Sequence, residues 1–460
     1  MNVNSSSPTT PSRSSRRRRI GGTVLAAVLA VATASTVAAP QPTLAAYTDT
    51  AEAAADTYTS PAVYMAVSTQ FSGTSAALSD GYVWVWGYKN RGMSGNGVQN
   101  DTNSAPTPVY SLPNVTKVVG ASDLSDAFGT FGALTESGEV YTWGSNKLGR
   151  LGIGSTTGNA DYRDTPQKVA IPDDEKVIDI GSMRATMAVL TESGKVYTWG
   201  SGQYGQAGNG STTTSAGPNS PYLVMSNVHS MHVGQRLTWV VTRDNEVYWW
   251  GRSYGGESGM GTASTTNNHT PRLVPALTEI AESCEGPAVA VYGEDTCSIV
   301  AITSSRQAAA LLTRDGTVYT FGSRNYSQLG REATAATAVQ VLPITVDGPV
   351  ARVSAGNYHF LVLTDDGDVW GWGDNARWAA SGNIRPDGTT GQGTTAASTP
   401  IKLPLTDMIG IGGSRDTSYA TRSDSVLIGW GDGRDGAIPG AELDRRTFTP
   451  LALPGIRTEG

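Results

Sequence analysis

The clearest pattern in the chain is an apolar hairpin that recurs along its length. In one copy, Val189-Leu190 and residues 196–199 (VYTW) flank the polar pair Ser193-Gly194. Short runs of β-branched and aromatic residues around such a pair predict two strands joined by a tight turn. The aromatic-glycine pair that ends the hairpin occurs seven times, with the aromatic residue at Trp86, Trp143, Trp199, Trp250, Phe321, Trp372 and Trp430.

Other positions repeat in register with these aromatics, which lie 51 to 71 residues apart. A glycine or asparagine stands five residues before six of them, and further glycines follow most of them. A proline and a strand of the form V-x-x-V or V-x-x-I come next, as at Val115–Val118 and Val177–Ile180. Each unit therefore predicts about four short strands and no helix. A period near fifty with four strands is typical of propeller blades, which bury their faces against neighbouring blades.

Two of the repeats resemble a known family. The stretches are Leu134–Gly152 (LTESGEVYTWGSNKLGRLG) and Val353–Gly373 (VSAGNYHFLVLTDDGDVWGWG). They resemble the repeat of the regulator of chromosome condensation, and the resemblance covers nearly everything after residue 62. It implies an all-β fold, a seven-bladed β-propeller. It also implies, as an alternative function, guanine-nucleotide exchange on a small GTPase with chromatin contacts.

The two ends of the repeat region complement each other. Val63–Val67 matches the V-x-x-V strand, and the last unit stops at 450–455 before a strand of that kind. Unpaired strand edges are prone to association with other chains. We therefore expect the N-terminal strand to complete the last blade and close the ring, with the propeller spanning residues 62–460.

The first 45 residues differ from the rest. Arg16–Arg19 precede an apolar run from Ile20 to about Ala34, and small residues follow as far as Ala45. This order predicts a secretory signal peptide, cleaved after Ala45 or alternatively after Ala38, with residues 46–61 as a flexible lead-in. A nuclear localisation cluster and an uncleaved membrane anchor are the alternatives. Cleavage of the signal peptide would remove the five arginines of residues 1–45 and change the formal net charge from −7 to −12. This acidic charge argues against nucleic acid as a partner.

The only two cysteines, Cys284 and Cys297, lie in the longest step between repeats. In an exported protein this pair predicts a disulfide that closes a projecting insertion near residues 281–304, and two unpaired thiols are the alternative. No cluster of histidines or cysteines surrounds them, so we expect no metal site.

The sequence contains no recognisable catalytic constellation. It lacks a nucleophile elbow, a zinc-protease motif, a P-loop and a calcium loop. His359 follows Gly356-Asn357-Tyr358 and is interpreted as a turn or packing residue. We therefore expect no cofactor and no enzymatic activity, although acids that meet in a central channel would form a third possibility, an enzyme.

The residues just after each aromatic-glycine pair are the best candidates for function. Tyrosine, tryptophan and arginine are the residue types that dominate protein-protein binding energy. These residues are expected to lie on loops at one rim of the propeller. The candidates are Arg91, Tyr204, Tyr254, Tyr326, Arg377 and Trp378. Packing against the next blade's loop is the alternative interpretation of each.

Together these features predict a secreted, extracellular, non-enzymatic protein that binds a protein partner through rim loops. A narrower version follows from the resemblance, because some secreted bacterial inhibitors of β-lactamase are similar propellers. We expect a monomer without nucleic acid and without a stable membrane anchor after signal cleavage. The identity of the partner does not follow from the sequence.

Overall fold

The computed structural model describes residues 64–65, 75–79, 82–87, 89–101, 105–122, 129–155, 161–212, 217–263, 265–282, 299–384, 396–424, 426–433, 438 and 445–451. These residues all belong to one compact unit, Leu44–Gly460. The predicted signal peptide, the lead-in, Cys284 and Cys297 lie outside the described residues, so the disulfide stays a prediction.

Four-stranded antiparallel sheets follow one another along the chain, and the described residues form seven of them. Sheet 1 contains Tyr64–Met65 (β1), Ser75–Ser79 (β2), Tyr82–Trp86 (β3) and Thr107–Val109 (β6). Sheet 2 contains Val115–Ser122 (β7), Gly129–Thr135 (β8), Val140–Ser145 (β9) and Tyr162–Lys168 (β10). Sheet 3 contains Val177–Met183 (β11), Thr186–Thr191 (β12), Val196–Gly200 (β13) and Tyr222–Met225 (β14).

The remaining sheets repeat this order. Sheet 4 contains Val228–Val233 (β15), Leu237–Thr242 (β16), Val247–Ser253 (β17) and Thr266–Leu273 (β18). Sheet 5 contains Ile299–Ser304 (β19), Ala308–Thr313 (β20), Val318–Gly322 (β21) and Leu342–Pro343 (β22). Sheet 6 contains Val350–Ala355 (β23), His359–Thr364 (β24), Val369–Gly373 (β25) and Ala397–Lys402 (β26), and sheet 7 contains Met408–Gly413 (β27), Thr417–Arg422 (β28), Leu427–Gly431 (β29) and Arg445–Leu451 (β30).

A few elements lie outside these sheets. Lys89–Asn90 (β4) and Asn100–Asp101 (β5) form a small hairpin. Two α-helices, Pro275–Glu282 (α1) and Ala335–Ala338 (α2), and three 3-10 turns, Lys147–Gly149, Pro172–Asp174 and Asn325–Ser327, complete the described elements. The prediction of units without helices is therefore wrong at α1, which precedes the predicted insertion.

The core is a series of apolar layers between neighbouring sheets. Between sheets 2 and 3, for example, Leu134 and Val140 pack with Ile180, Val189 and Trp199. The second strand of a sheet is buried on both faces, as in β12 and β16, because a neighbouring sheet covers each side. This is the physical reason that a single unit cannot be stable alone. The predicted all-β propeller is confirmed.

A repeated hydrogen bond ties five of the loops to the sheet that follows each of them. The indole Nε1 of Trp199 donates to the backbone oxygen of Arg150 at 2.9 Å, seven residues after the previous aromatic. The same bond recurs from Trp143 to Met93, Trp250 to Gln206, Trp372 to Gln328 and Trp430 to Ala379, at 2.8 to 3.1 Å. Gly152 lies flat on this indole, and a Cβ there would approach Trp199 Nε1 to 2.6 Å.

The expected mode of ring closure is wrong. β1 pairs with β2 in sheet 1, with Tyr64 opposite Leu78, and does not complete the last sheet. Sheet 7 obtains its first strand, β27, from its own repeat and its fourth strand, β30, from the C-terminal segment. The misassignment arose because each unit begins with the V-x-x-V strand rather than ending with it. β1 nevertheless lies beside β27 and β28, and Trp86 contacts Tyr419 edge to face at 6.2 Å.

Candidate functional site

One end of the sheets carries most of the predicted rim residues. Because the strands of each sheet alternate in direction, the turn between its first and second strands and the loop between its third and fourth strands lie at the same end. In sheets 3 to 5 the first turns carry Arg184, Arg236 and Arg306, and the later loops carry Tyr204, Tyr254 and Tyr326.

These side chains form a continuous cluster of arginines and tyrosines. The guanidinium of Arg252 lies over the rings of Tyr204 and Tyr254, at 4.2 and 3.9 Å from their centroids. Arg184 lies over Tyr204 at 5.0 Å, and Arg236 over Tyr254 at 4.5 Å. We call the set the Arg–Tyr face; its members are Arg184, Arg236, Arg252, Arg306, Tyr204, Tyr254, Tyr326 and Tyr358.

The far side of the Arg–Tyr face is a tyrosine pair. Tyr326 and Tyr358 have ring centroids 4.4 Å apart, and Arg306 lies 5.3 Å from the Tyr358 ring. Tyr326 is half exposed. Its backbone has a positive φ of 57°, a conformation that is uncommon for residues other than glycine.

Positive charge is concentrated in this face. Arg236 is only 5 % exposed, and burial together with the nearby Arg306 and Arg184 lowers its pKa to about 10. Among the described residues, the side chains of Arg236, Arg252 and Arg306 contact tyrosine rings and form no ion pair with a carboxylate. Guanidinium groups stacked on aromatic rings are stabilised by the ring quadrupole, while their mutual repulsion remains.

Buried side chains hold the tyrosine loops in place. The carboxylate of Glu257 accepts hydrogen bonds from the backbone N–H groups of Tyr254 at 2.6 Å and Gly255 at 2.7 Å. At the same position of the preceding loop, Gln206 Oε1 accepts from the backbone N–H of Tyr204 at 2.7 Å. Burial raises the pKa of Glu257. These buried acceptors fix the orientation of both loops from beneath.

The first turns of sheets 4 to 7 are joined by hydrogen bonds. Gln235 Nε2 donates to the backbone oxygen of Gly356 at 2.8 Å, which links sheet 4 to sheet 6. The backbone N–H of Arg306 donates to Asn357 O at 2.9 Å, and that of Asn357 donates to Arg415 O at 2.8 Å. We call these turns the linked turns. They place Arg236 and Arg306 on one rigid support.

The six predicted rim residues separate into two groups. Tyr204, Tyr254 and Tyr326 belong to the Arg–Tyr face. Arg377 is exposed. Burial raises the pKa of Asp416, and the positive charge of the nearby Arg377 offsets part of that rise. Arg91 is half-buried with a φ of 51°, and Trp378 is only 8 % exposed, so its ring is not available as a protruding anchor.

Sequence reasoning missed the arginines and Tyr358. It considered the segment after each aromatic-glycine pair and not the turn before the second strand. A signal was present there, because Arg184, Arg306 and Arg415 each stand two residues before the second strand of their sheet. Arg236 is offset from them by one residue and had no such signal.

His359, interpreted as a turn or packing residue, lies in the core. It is 1 % exposed, its Nε2 lies 2.8 Å from Ser418 Oγ, and that hydroxyl donates to Ala379 O at 2.7 Å. Burial lowers the pKa of His359 to about 3, so the imidazole is neutral at ordinary pH. Its contacts are those of a structural residue that links sheets 6 and 7.

Two properties of the described residues bear on other classes of function. They contain no group of three histidine, cysteine or acidic residues arranged to hold a metal ion. Within the same residues, no helix has the length and apolar character needed to cross a membrane.

Comparison with known proteins identifies the repeat. Models of the regulator of chromosome condensation (RCC1) repeat match residues 137–182, 193–241, 315–363 and 350–377. A structure of yeast RCC1 (Prp20) bound to Kap60 superposes with a TM-score of 0.63 at 18 % identity, covering 88 % of this chain and 90 % of that one. The chain therefore contains RCC1 repeats, and it shares the propeller fold of yeast RCC1 (Prp20).

Some of the proteins similar to this chain are much longer than it is. The human E3 ubiquitin-protein ligase HERC2 is 28 % identical over 331 residues, which are 70 % of this chain and 6 % of that protein. The mitochondrial RCC1 domain-containing protein RUG3 of Arabidopsis thaliana is 25 % identical over 65 % of this chain and 63 % of its own length. Human WBSCR16 shares the fold, with a TM-score of 0.63 at 18 % identity over 82 % of this chain and 96 % of that one. The chain thus spans less than two thirds of these sequence relatives.

Proposed function

We propose that this protein is an exported, non-enzymatic, protein-binding propeller that grips its partner with the Arg–Tyr face. The observation that carries the proposal is the cluster itself. Four tyrosines and four arginines come together at one end of a rigid scaffold, and these are residue types that dominate binding energy in protein interfaces. The structural relative Prp20p, studied for its binding to Gsp1p and histones, supports protein recognition as a use of this fold.

The proposal includes the seven sheets as blades of one closed ring. Its support is that the first strand of each sheet lies beside that of the next from sheet 2 to sheet 7, while β2 of sheet 1 lies beside β7 and β1 beside β27. In a closed ring every sheet packs between two neighbouring sheets, which keeps the loops at fixed spacing. Rigid presentation lowers the entropy cost of binding, because the loops need not be ordered when the partner arrives.

A photo-crosslinking experiment tests the binding face. A benzophenone amino acid is placed at position 326, in the Arg–Tyr face, or at position 192, in an exposed hairpin turn at the opposite end. We expect position 326 to yield a crosslinked partner that excess unlabelled protein suppresses, and position 192 to yield none. Crosslinking from position 192 and not from position 326 would contradict the proposal and place the binding surface at the opposite end of the sheets.

Export is tested by the intact mass of the protein from medium and from cells, measured without reductant. We expect a species in the medium that begins near Ala46 and is two mass units light for one disulfide. A full-length species confined to cells would contradict export.

The narrower proposal is that the partner is an extracellular enzyme such as a β-lactamase. An excess of the protein should then slow hydrolysis of a chromogenic β-lactam by the purified enzyme. The variant with alanine at Tyr204, Tyr254 and Tyr326 should not. An unchanged rate with the wild-type protein would contradict inhibition of that enzyme and leave the binding face to be tested by crosslinking.

A further inference from the structure

The linked turns bring the like charges of Arg236 and Arg306 together. Among the described residues, Arg415 of these turns pairs with Asp416, whereas Arg236 and Arg306 form no ion pair with a carboxylate. Arg236 is almost fully buried, and Arg306 is close enough to disfavour its charged form. The nearby buried carboxylate of Glu257 is already engaged by the N–H groups of Tyr254 and Gly255. Gathering guanidinium groups in this way costs free energy unless an anion joins them.

Two buried acceptors in the same turns lack donors. Gln235 is 9 % exposed and its Nε2 is satisfied by Gly356 O, yet its Oε1 has no hydrogen-bond partner. Asn357 is 4 % exposed, and its Oδ1 is likewise without a partner. Leaving buried polar atoms unpaired is costly and is rare in folded proteins. Each of these oxygens can accept a hydrogen bond from an N–H or O–H donor.

The two requirements together define a ligand. An oxyanion would neutralise the guanidinium groups, and hydrogen-bond donors next to that oxyanion would pair with the amide oxygens. An acidic stretch of polypeptide offers both, because each carboxylate side chain is accompanied by backbone N–H groups. Inorganic phosphate satisfies the charge but offers few donors.

We propose that Arg236 and Arg306, with Gln235 and Asn357, form a pocket for a carboxylate on an acidic loop of the protein partner. This inference rests on the proposed function and specifies the chemistry of the partner. Arginine binds the carboxylate through paired N–H donors, and the amide oxygens accept from the backbone of the same loop. Tyr254 and Tyr358 wall the pocket through their contacts with Arg236 and Arg306.

The test uses short blocked peptides as probes. One contains alternating glutamate and glycine, the other has glutamine in place of glutamate, and saturation-transfer NMR at constant ionic strength reports binding. We expect the glutamate peptide to bind, and R306Q to weaken it at least about tenfold, the loss of one charged hydrogen-bonding partner. R422Q, at the opposite end of the sheets, serves as the matched control and should bind as the wild type does.

Several outcomes would overturn the pocket. Equal binding of the glutamine peptide, or equal affinity in R306Q, would show that charge at this site does not matter. Displacement of the glutamate peptide by inorganic phosphate at the same concentration would exclude the contribution of the amide oxygens. Crosslinking from position 326 combined with no peptide binding would retain protein recognition and reject only the carboxylate pocket.

A second measurement separates a binding role from a structural one. Without peptide, R306Q should raise the thermal midpoint, because it removes repulsion on the buried Arg236. A residue needed for folding would lower the midpoint when neutralised. A fall in R306Q, against an unchanged R422Q, would therefore contradict the inference.

Discussion

The Arg–Tyr face and the opposite end of the sheets differ in how their charged side chains are paired. At the end formed by the turns between second and third strands, which we call the hairpin end, lysines pair with carboxylates. Lys168 lies 2.5 Å from Glu139 and Lys402 lies 2.5 Å from Asp368, at matching positions of sheets 2 and 6. At the Arg–Tyr face, guanidinium groups lie over tyrosine rings, and burial together with the charges of Arg306 and Arg184 lowers the pKa of Arg236.

This difference indicates separate uses of the two ends. Exposed ion pairs neutralise a surface and add little to stability, because solvent screens them. Half-buried cations on aromatic rings keep their charge available to an incoming group. The hairpin end therefore resembles an ordinary solvated surface, whereas the Arg–Tyr face has the composition of a binding surface.

The largest effect is expected from the layer beneath the Arg–Tyr face. Trp199→Ala removes a fully buried ring and the hydrogen bond to Arg150 O, and should lower the free energy of unfolding by about 3–5 kcal/mol in chemical denaturation. Trp199→Phe is the control, since it keeps most of the packing and should cost less. A loss under about 1 kcal/mol for the alanine variant would contradict the role of the indole in joining sheets.

The next effect concerns the loop that carries Tyr254. Glu257→Ala leaves the buried N–H groups of Tyr254 and Gly255 without an acceptor and should cost about 1–3 kcal/mol at neutral pH. Glu257→Gln retains an acceptor oxygen and should cost less. Denaturant titration of both variants checks the order, and equal stability of the alanine variant and wild type would show that the loop is held in another way.

The same carboxyl predicts a pH dependence. Burial raises the pKa of Glu257 above its ordinary value of 4.5, so the folded protein holds this proton more tightly than the unfolded chain does. Its stabilising contribution is fully present below pH 4.5 and is lost as the pH rises through the folded-state pKa. Relative to Glu257→Gln, the wild type should therefore become less stable as the pH rises. A difference that does not vary with pH would mean that the carboxyl is not buried in solution.

The smallest effect is expected at the hairpin end. Lys168→Ala removes the partner that lowers the pKa of Glu139, but Lys168 is exposed and Glu139 is partly exposed. We expect a change in the thermal midpoint much smaller than that of Glu257→Ala, and one that disappears at high salt. A large, salt-independent loss would make the two ends equivalent and remove the basis of the comparison.

Part of the candidate site could be predicted because it is tied to the repeat. Tyr204, Tyr254 and Tyr326 follow the aromatic residue of the pair by five, four and five residues, so their common end of the sheets could be predicted from the repeat. Trp378 follows Trp372 by six residues in the equivalent loop and is nevertheless buried, since its loop folds back and Gly382 N–H donates to Trp378 O at 2.8 Å. Register determines the end of the sheet at which a residue lies but not its exposure.

By itself the sequence determined the all-β repeat, the hairpins and the role of the aromatics and glycines between sheets. These features are local or periodic, because each depends on strand alternation, turn chemistry and a spacing that recurs. Only the tertiary structure decided the strand that opens each sheet, the burial of Glu257 and the approach of Arg236 to Arg306. Those contacts join residues from different repeats, and no periodic signal along one chain records which side chains meet when separate sheets pack side by side.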